Sequence, residues 1–489
     1  MDLARLAHRH RSNTAAEGEP REHKRGHGIH LPSTISNVLQ LHLEPHFPSP
    51  LLRIHHRGDD STDCSTARRN TPIPSARKSI GFKWRELHGA HDWDGLLEPL
   101  HECLRHELIK YGELTQATYD AFDAEKHSRY RGSCFYGRDR LFPKLGLTRH
   151  GYEVTSYLYA MSNIDILDWV VRPEVAGPWS TKSNWMGYVA VSNAEETSRI
   201  GRRDIVVAWR GTVRVSEWYK DAQILFKPLR GDAKVEHGFL SLYHDKEQSS
   251  RFNEESASEM VMREIRRLVK IYGERDEEVS LTVTGHSLGG ALALLSAHEA
   301  AAAAIPGLSH VSVISFGAPR VGNREFVKEL EDRGVKVLRL VNKQDLVPRM
   351  PGAVFNEKVG KFLHMDRLKL WYAHAGVKLK VDASVSPFLK HHPHGPQDLA
   401  GFHCLETYLH LVDGLHSLRG GFRKDAKRDI ALVNKWGAAL RDDLHIPSGW
   451  FQASMKEIQT DSRGLLVARR REPEDVPQPP RSPLTAPCN

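Results

Sequence analysis

Apolar positions along this chain begin to repeat at helical spacing only after Trp84, where Leu96, Leu97, Leu100, Leu104 and Leu108 lead on to Tyr111 and Tyr119. That period predicts an N-terminal helical layer whose apolar face is core. Short runs from Gly187 to Ser192 and from Ile205 to Trp209 predict strands. A helix is predicted to open at Ser256, where Glu259 three residues on completes a capping box, with Val261, Ile265, Leu268 and Val269 as its buried face. Further strands are predicted at Val279 to Thr284, Val311 to Phe316 and Val335 to Val341, separated by a helix after Ser287 and a short one near Arg324 to Leu330. Strands alternating with helices predict a mostly parallel sheet covered on both faces. Residues 1–80 hold no sustained apolar period and are expected to be a poorly ordered extension, a candidate targeting segment. Residues 461–489, with repeated Pro and charge from Arg471 to Pro487, are expected to be a loose tail. The folded unit is therefore placed at residues 81–460.

Composition changes this picture little. The chain of 489 residues is 40% hydrophobic and 27% charged, ordinary for a globular protein that buries a sizeable core. Its formal charge of +8 would suit an anionic lipid surface or nucleic acid, but the basic residues are scattered and form no stripe, so no nucleic-acid partner is expected. Cys64, Cys103, Cys134, Cys404 and Cys488 are odd in number and widely spaced, with no CxxC pair, which argues against a disulfide framework and fits a reducing compartment. No stretch approaches the roughly 18 apolar residues of a transmembrane helix. The run His391 to His394 reads as a solvated loop, and neither a metal nor an organic cofactor is expected. The first 80 residues are rich in Arg and Ser, like a transit peptide, yet carry Asp2, Glu17, Glu19, Glu22, Asp59, Asp60 and Asp63 against that pattern.

The chemical signal is Gly285-His286-Ser287-Leu288-Gly289, placed directly after one predicted strand and before a predicted helix. A serine hydroxyl is a weak nucleophile unless it is exposed beside a base, and a tight strand-to-helix turn presents it above a sheet edge. The N–H of Leu288 is then placed to donate to a developing oxyanion. An acid and a histidine should follow in that order. Asp345, just past the strand ending at Val341, fits the acid, whereas His391, His392, His394, His403, His410 and His416 all compete for the base.

The ordered series Ala208-Trp209-Arg210-Gly211-Thr212, then Trp218 and Asp221, then Glu236-His237-Gly238-Phe239-Leu240, then the Ser287 elbow resembles the class 3 lipases. That resemblance implies an α/β-hydrolase fold, an oxyanion donor at Thr212, and a lid over about Val213 to Asp221. Separately, Trp218, Tyr219, Ile224, Leu225 and Phe226 are expected to form a lid and lip that opens onto a bilayer, with ordinary core packing the alternative for Ile224 to Phe226. It also selects His403, within His403-Cys404-Leu405-Glu406-Thr407-Tyr408, with His410 and His416 as fallbacks. Trp84-Arg85-Glu86-Leu87, Tyr111-Gly112-Glu113, Tyr119-Asp120-Ala121-Phe122, Ser315 to Asn323 and Lys427-Arg428-Asp429 are similar to the plastid-type phospholipase A1 enzymes of plants. From about residue 82 to about 460 this resemblance implies cleavage of the sn-1 ester of membrane glycerolipids, peripheral membrane contact and a plastid location. Two other readings stay open: a silent lipase-like binding or signalling protein, and a galactolipid or triacylglycerol lipase.

Overall fold

The computed structural model describes residues 80–125, 128–161, 183–211, 226–247, 250–351, 371–390, 396–417, 421–451, 458–460, 462–463, 465–468 and 471–480. Its centre is a seven-stranded sheet whose spatial order follows the chain: β1 (Tyr152–Met161), β2 (Ser183–Ser192), β3 (Arg203–Trp209), β4 (Val279–His286), β5 (Leu308–Phe316), β6 (Lys336–Asn342) and β7 (Val377–Val381). Strand β2 runs antiparallel to both β1 and β3, and β3 through β7 are parallel. The continuous apolar runs of the parallel strands follow from their position, since both of their faces are covered.

Helices α2 (Ala257–Gly273), α3 (Leu288–Ala302) and α4 (Arg324–Asp332) join successive parallel strands, and right-handed crossovers carry them to one face. The predicted capping box at Ser256 and Glu259 is present, and Val261, Ile265, Leu268 and Val269 are all buried. The other face is covered by α1 (Glu102–Asp120) and, near the end of the domain, by α5 (Pro396–His403) and α6 (Leu405–Gly414). Helices α1 and α6 meet closely at Gly112, where a Cβ would stand 2.1 Å from Leu409 Cδ2. Side-chain bonds tie α1 to the sheet: Tyr111 donates to Asp204 at 2.8 Å, and the Thr115 and Thr284 hydroxyls are 2.9 Å apart. Asp204, fully buried, also accepts from Tyr152, Ser280 and Thr282, and such shared satisfaction is what a buried carboxylate requires.

The N-terminal helical layer is present but starts later than its leucine period. Leu96 and Leu97 lie in turns before Pro99, and the helix opens after His101, whose ring caps Cys103 N–H. Strands β1 and β7 and a small four-stranded sheet, built on Phe226–Arg230, Ala233–Glu236, Gly322–Asn323 and Tyr372–Ala373, were not read from the sequence. Part of the expected loose tail is docked. Arg471 donates to Asp123 and stacks over Tyr130, and Asp475 accepts the Gly137 N–H at 2.8 Å. No described helix is long and apolar enough to cross a membrane.

Candidate active site

Strand β4 ends at His286, and Ser287 follows with φ 57° and ψ −129°, a conformation that L residues rarely adopt, before α3 begins. Three glycines make that turn possible. A Cβ on Gly285 would lie 2.2 Å from Gly289 O, one on Gly289 2.4 Å from Trp209 O, and one on Gly290 2.5 Å from Ala318 Cβ. The Ser287 N–H is anchored to Phe316 O at 3.0 Å, so strand β5 holds the elbow from the side. Leu288 is the first residue of α3, and its N–H has no carbonyl one turn back within the helix.

Asp345 lies at the same sheet edge, three residues beyond β6, and is buried. Its Oδ1 accepts Val347 N–H at 2.9 Å, and its Oδ2 accepts both Tyr408 O–H at 2.6 Å and His403 Nδ1 at 2.7 Å. His403 ends α5 and is likewise buried. Because a carboxylate oxygen only accepts, Nδ1 carries the ring hydrogen and Nε2 of the neutral ring presents a lone pair. That Nε2 is buried without a hydrogen-bond partner, so His403 and Ser287 are not hydrogen-bonded to each other here. The ring nevertheless packs 4.5 Å from the His286 ring, whose backbone runs directly into Ser287.

The competing histidines divide clearly. His410 is buried against Ser386, 2.8 Å from its Oγ, and stacks on Phe422, while His416 is exposed. His391, His392 and His394 lie outside the described residues, as do Thr212, Trp218 and Tyr219. Tyr408 belongs to the segment His403 to Tyr408 that singles out the histidine, but nothing in the sequence marks its hydroxyl as a partner of Asp345. Tyr119 and His286, which meet through a 2.7 Å contact beside the elbow, were given no role. Only the chain-order motifs could have drawn attention to them. No group of metal-ligating side chains occurs among the described residues.

A serine at a strained strand-to-helix elbow, beside a buried histidine oriented by a carboxylate, on a mostly parallel sheet in this order, defines an α/β-hydrolase. Residues 206–355 match the family model Lipase (class 3). The chain is 42% identical over 439 residues to phospholipase A1-Igamma1, chloroplastic, from Arabidopsis thaliana, covering 86% of this chain and 84% of that one. It is 44% identical to phospholipase A1-Igamma3, chloroplastic, from the same plant over 80% of this chain and 79% of that one. Phospholipase A1-II 1 of Oryza sativa is 37% identical over 81% of this chain and 98% of that one. Among solved structures, a lipase from Rhizopus microsporus var. chinensis overlaps 58% of this chain and 76% of its own, with 21% identity and a TM-score of 0.36. The chain belongs to the plant phospholipase A1 family of class 3 lipases.

Proposed function

We propose that the protein is a phospholipase A1-type acyl hydrolase that cleaves the sn-1 ester of membrane glycerolipids, phosphatidylcholine or galactolipids among them. Ser287 Oγ attacks the ester carbonyl as His403 Nε2 takes its proton, and Asp345 holds the imidazole in the required tautomer. The tetrahedral intermediate collapses to an acyl-enzyme as the lysolipid leaves with that proton, and water then releases the acid by the same steps in reverse roles. Thr212 and the Leu288 N–H are the oxyanion donors in this reading, and Trp218 and Tyr219 form the lid that faces the lipid surface. One observation carries the reading: a buried histidine whose Nδ1 is bonded to a buried carboxylate while its Nε2 lacks any partner, packed against the residue preceding an elbow serine.

Residues 81–460 are the hydrolase domain in this proposal, and the 461–489 segment is its tail. The chloroplastic names of two relatives support a plastid address for the enzyme, with residues 1–80 as the segment that would carry it. The deciding experiment is product analysis of wild type and Ser287→Ala on phosphatidylcholine and a galactolipid with different acyl chains at sn-1 and sn-2. Release of the sn-1 acid by wild type alone supports the proposal. Equal release by both proteins, or none from a folded wild type, defeats it.

A further inference from the structure

Tyr119 lies one residue before the end of α1, far in sequence from the groups assigned to acyl transfer, yet its hydroxyl meets a backbone N–H on one side of them and the His286 ring on the other. Its hydroxyl accepts the Gly211 N–H at 3.1 Å and lies 2.7 Å from His286 Nδ1. The other nitrogen of that ring, Nε2, is 2.7 Å from the carbonyl oxygen of His403. A carbonyl oxygen can only accept, so His286 Nε2 carries a hydrogen. Burial first, and the neighbouring His403 second, hold His286 well below the usual histidine range, so the ring is neutral and Nδ1 is a bare acceptor. Tyr119 therefore donates to His286 while it accepts from Gly211. Burial also pushes the Tyr119 phenol well up, so it keeps the proton it donates.

The direction of the whole chain is thus fixed: Gly211 N–H to Tyr119, Tyr119 O–H to His286, His286 N–H to the His403 carbonyl. Gly211 is pressed against the nucleophile as well, since a Cβ there would stand 2.4 Å from Tyr119 Oη, 2.5 Å from His286 O and 3.0 Å from Ser287 Cβ. One end of the bridge grips the strand exit that leads into Thr212, and the other grips the backbone of the histidine base.

We infer that Tyr119 and His286 are positioning residues for acyl transfer, a hydroxyl–imidazole bridge that sets the spacing between the oxyanion side of the site and the His403 base. The inference rests on the acyl-transfer reading above, and its physical basis is that reacting groups displaced by about 1 Å can lose about 10²-fold in rate even when substrate still binds. The N-terminal helical layer thereby does more than cover the sheet, because it supplies the central atom of the bridge.

The test removes only that atom. Tyr119→Phe keeps the ring, whose edge contact with His286 spans 5.6 Å between centroids. On a soluble short-chain ester, kcat is expected to fall about 10-fold with KM within about twofold, and affinity for a short-chain boronic acid, which mimics the tetrahedral intermediate, should fall by the same factor. His286→Phe keeps an aromatic ring but loses the acceptor for Tyr119 and the donor toward the His403 carbonyl. It should lose at least as much kcat as Tyr119→Phe, and the double variant should be no worse than His286→Phe alone, because that change already breaks the Tyr119 link. It also decides the matter if Tyr119→Phe does not fold. A kcat within about twofold of wild type, or a kcat loss without the matching boronate loss, overturns the inference. If a fluorophosphonate fails to label Ser287 of an inert wild type, the acyl-transfer reading falls and takes this inference with it. Labelled, active wild type beside an unaffected Tyr119→Phe sinks the inference alone.

Discussion

Tyr408 and His403 donate to the same carboxylate oxygen, Asp345 Oδ2, at 2.6 and 2.7 Å. The Tyr408 hydroxyl also accepts the Asn342 N–H at 3.1 Å, so one phenol joins the end of β6, the acid and helix α6. Hydrogen bonds to charged groups contribute about 1.5–3 kcal/mol. Tyr408→Phe is expected to lower unfolding stability by about 2 kcal/mol in urea denaturation. A change below about 0.5 kcal/mol would mean that the Asp345 carboxylate is held well enough by Val347 N–H and His403 alone.

Thr212 tests the oxyanion assignment. Replacing it by Val removes a hydroxyl donor at nearly constant volume, and loss of one such donor lowers kcat about 10²- to 10³-fold. Steady-state kinetics on a soluble ester should show that loss with little change in KM, whereas activity within about threefold of wild type removes Thr212 from the site.

The elbow glycines are expected to admit no side chain. Gly289→Ala drives a Cβ to 2.4 Å from Trp209 O and 2.9 Å from Arg210 C, both backbone atoms that cannot swing away. Overpacking of this kind costs about 1–3 kcal/mol, and here the strand exit beside Ser287 must shift to relieve it. Circular dichroism melts and fluorophosphonate labelling should therefore fall together. Normal labelling at a normal melting temperature would contradict the close approach of α3 to β3.

Glu113 predicts an acid limb of stability. Burial disfavours its charge, but the hydrogen bond from His150 and the charges of Arg428 and Arg149 outweigh that and bring its pKa from 4.5 down to about 2. A folded value below the unfolded one means that the stabilisation is fully present above about pH 4.5 and disappears as pH falls toward about 2. The shift corresponds to about 3 kcal/mol at neutral pH. Glu113→Gln should lose about that much at pH 7, and its difference from wild type should shrink steadily below pH 4.5 in urea titrations. A difference that does not depend on pH would mean that shape, and not charge, holds this junction.

Much of the site could be read from residues alone because its parts announce themselves locally. The β4 run, the Gly-flanked Ser287 and the Ala- and Leu-rich helix after it form one uninterrupted signal, and Asp345 follows a second apolar strand at the matching edge. The histidine could not be chosen by spacing, since several histidines lie downstream of Asp345, and the family pattern was needed to single out His403. Tyr119, His286 and Tyr408 stayed silent for a different reason: each acts through a hydrogen bond to a residue remote in sequence. Strand β1 escaped because exposed Glu153 and half-buried Val154 and Thr155 are followed by six buried positions in a row, which leaves no two-residue alternation, and the small second sheet because two of its strands are only two residues long.

The match between chain order and sheet order has a bearing on how the molecule is made. As the polypeptide emerges from the ribosome, each new strand of the central sheet can dock on the edge left by the one before it, without waiting for a later segment to fill a gap. Ser287 would then sit at its elbow while α5 and α6 are still unmade. Because His403 comes from those late helices and Arg471 and Asp475 clasp the first-made layer later still, a nascent chain could hold a formed elbow yet lack the histidine that the proposed acyl transfer requires.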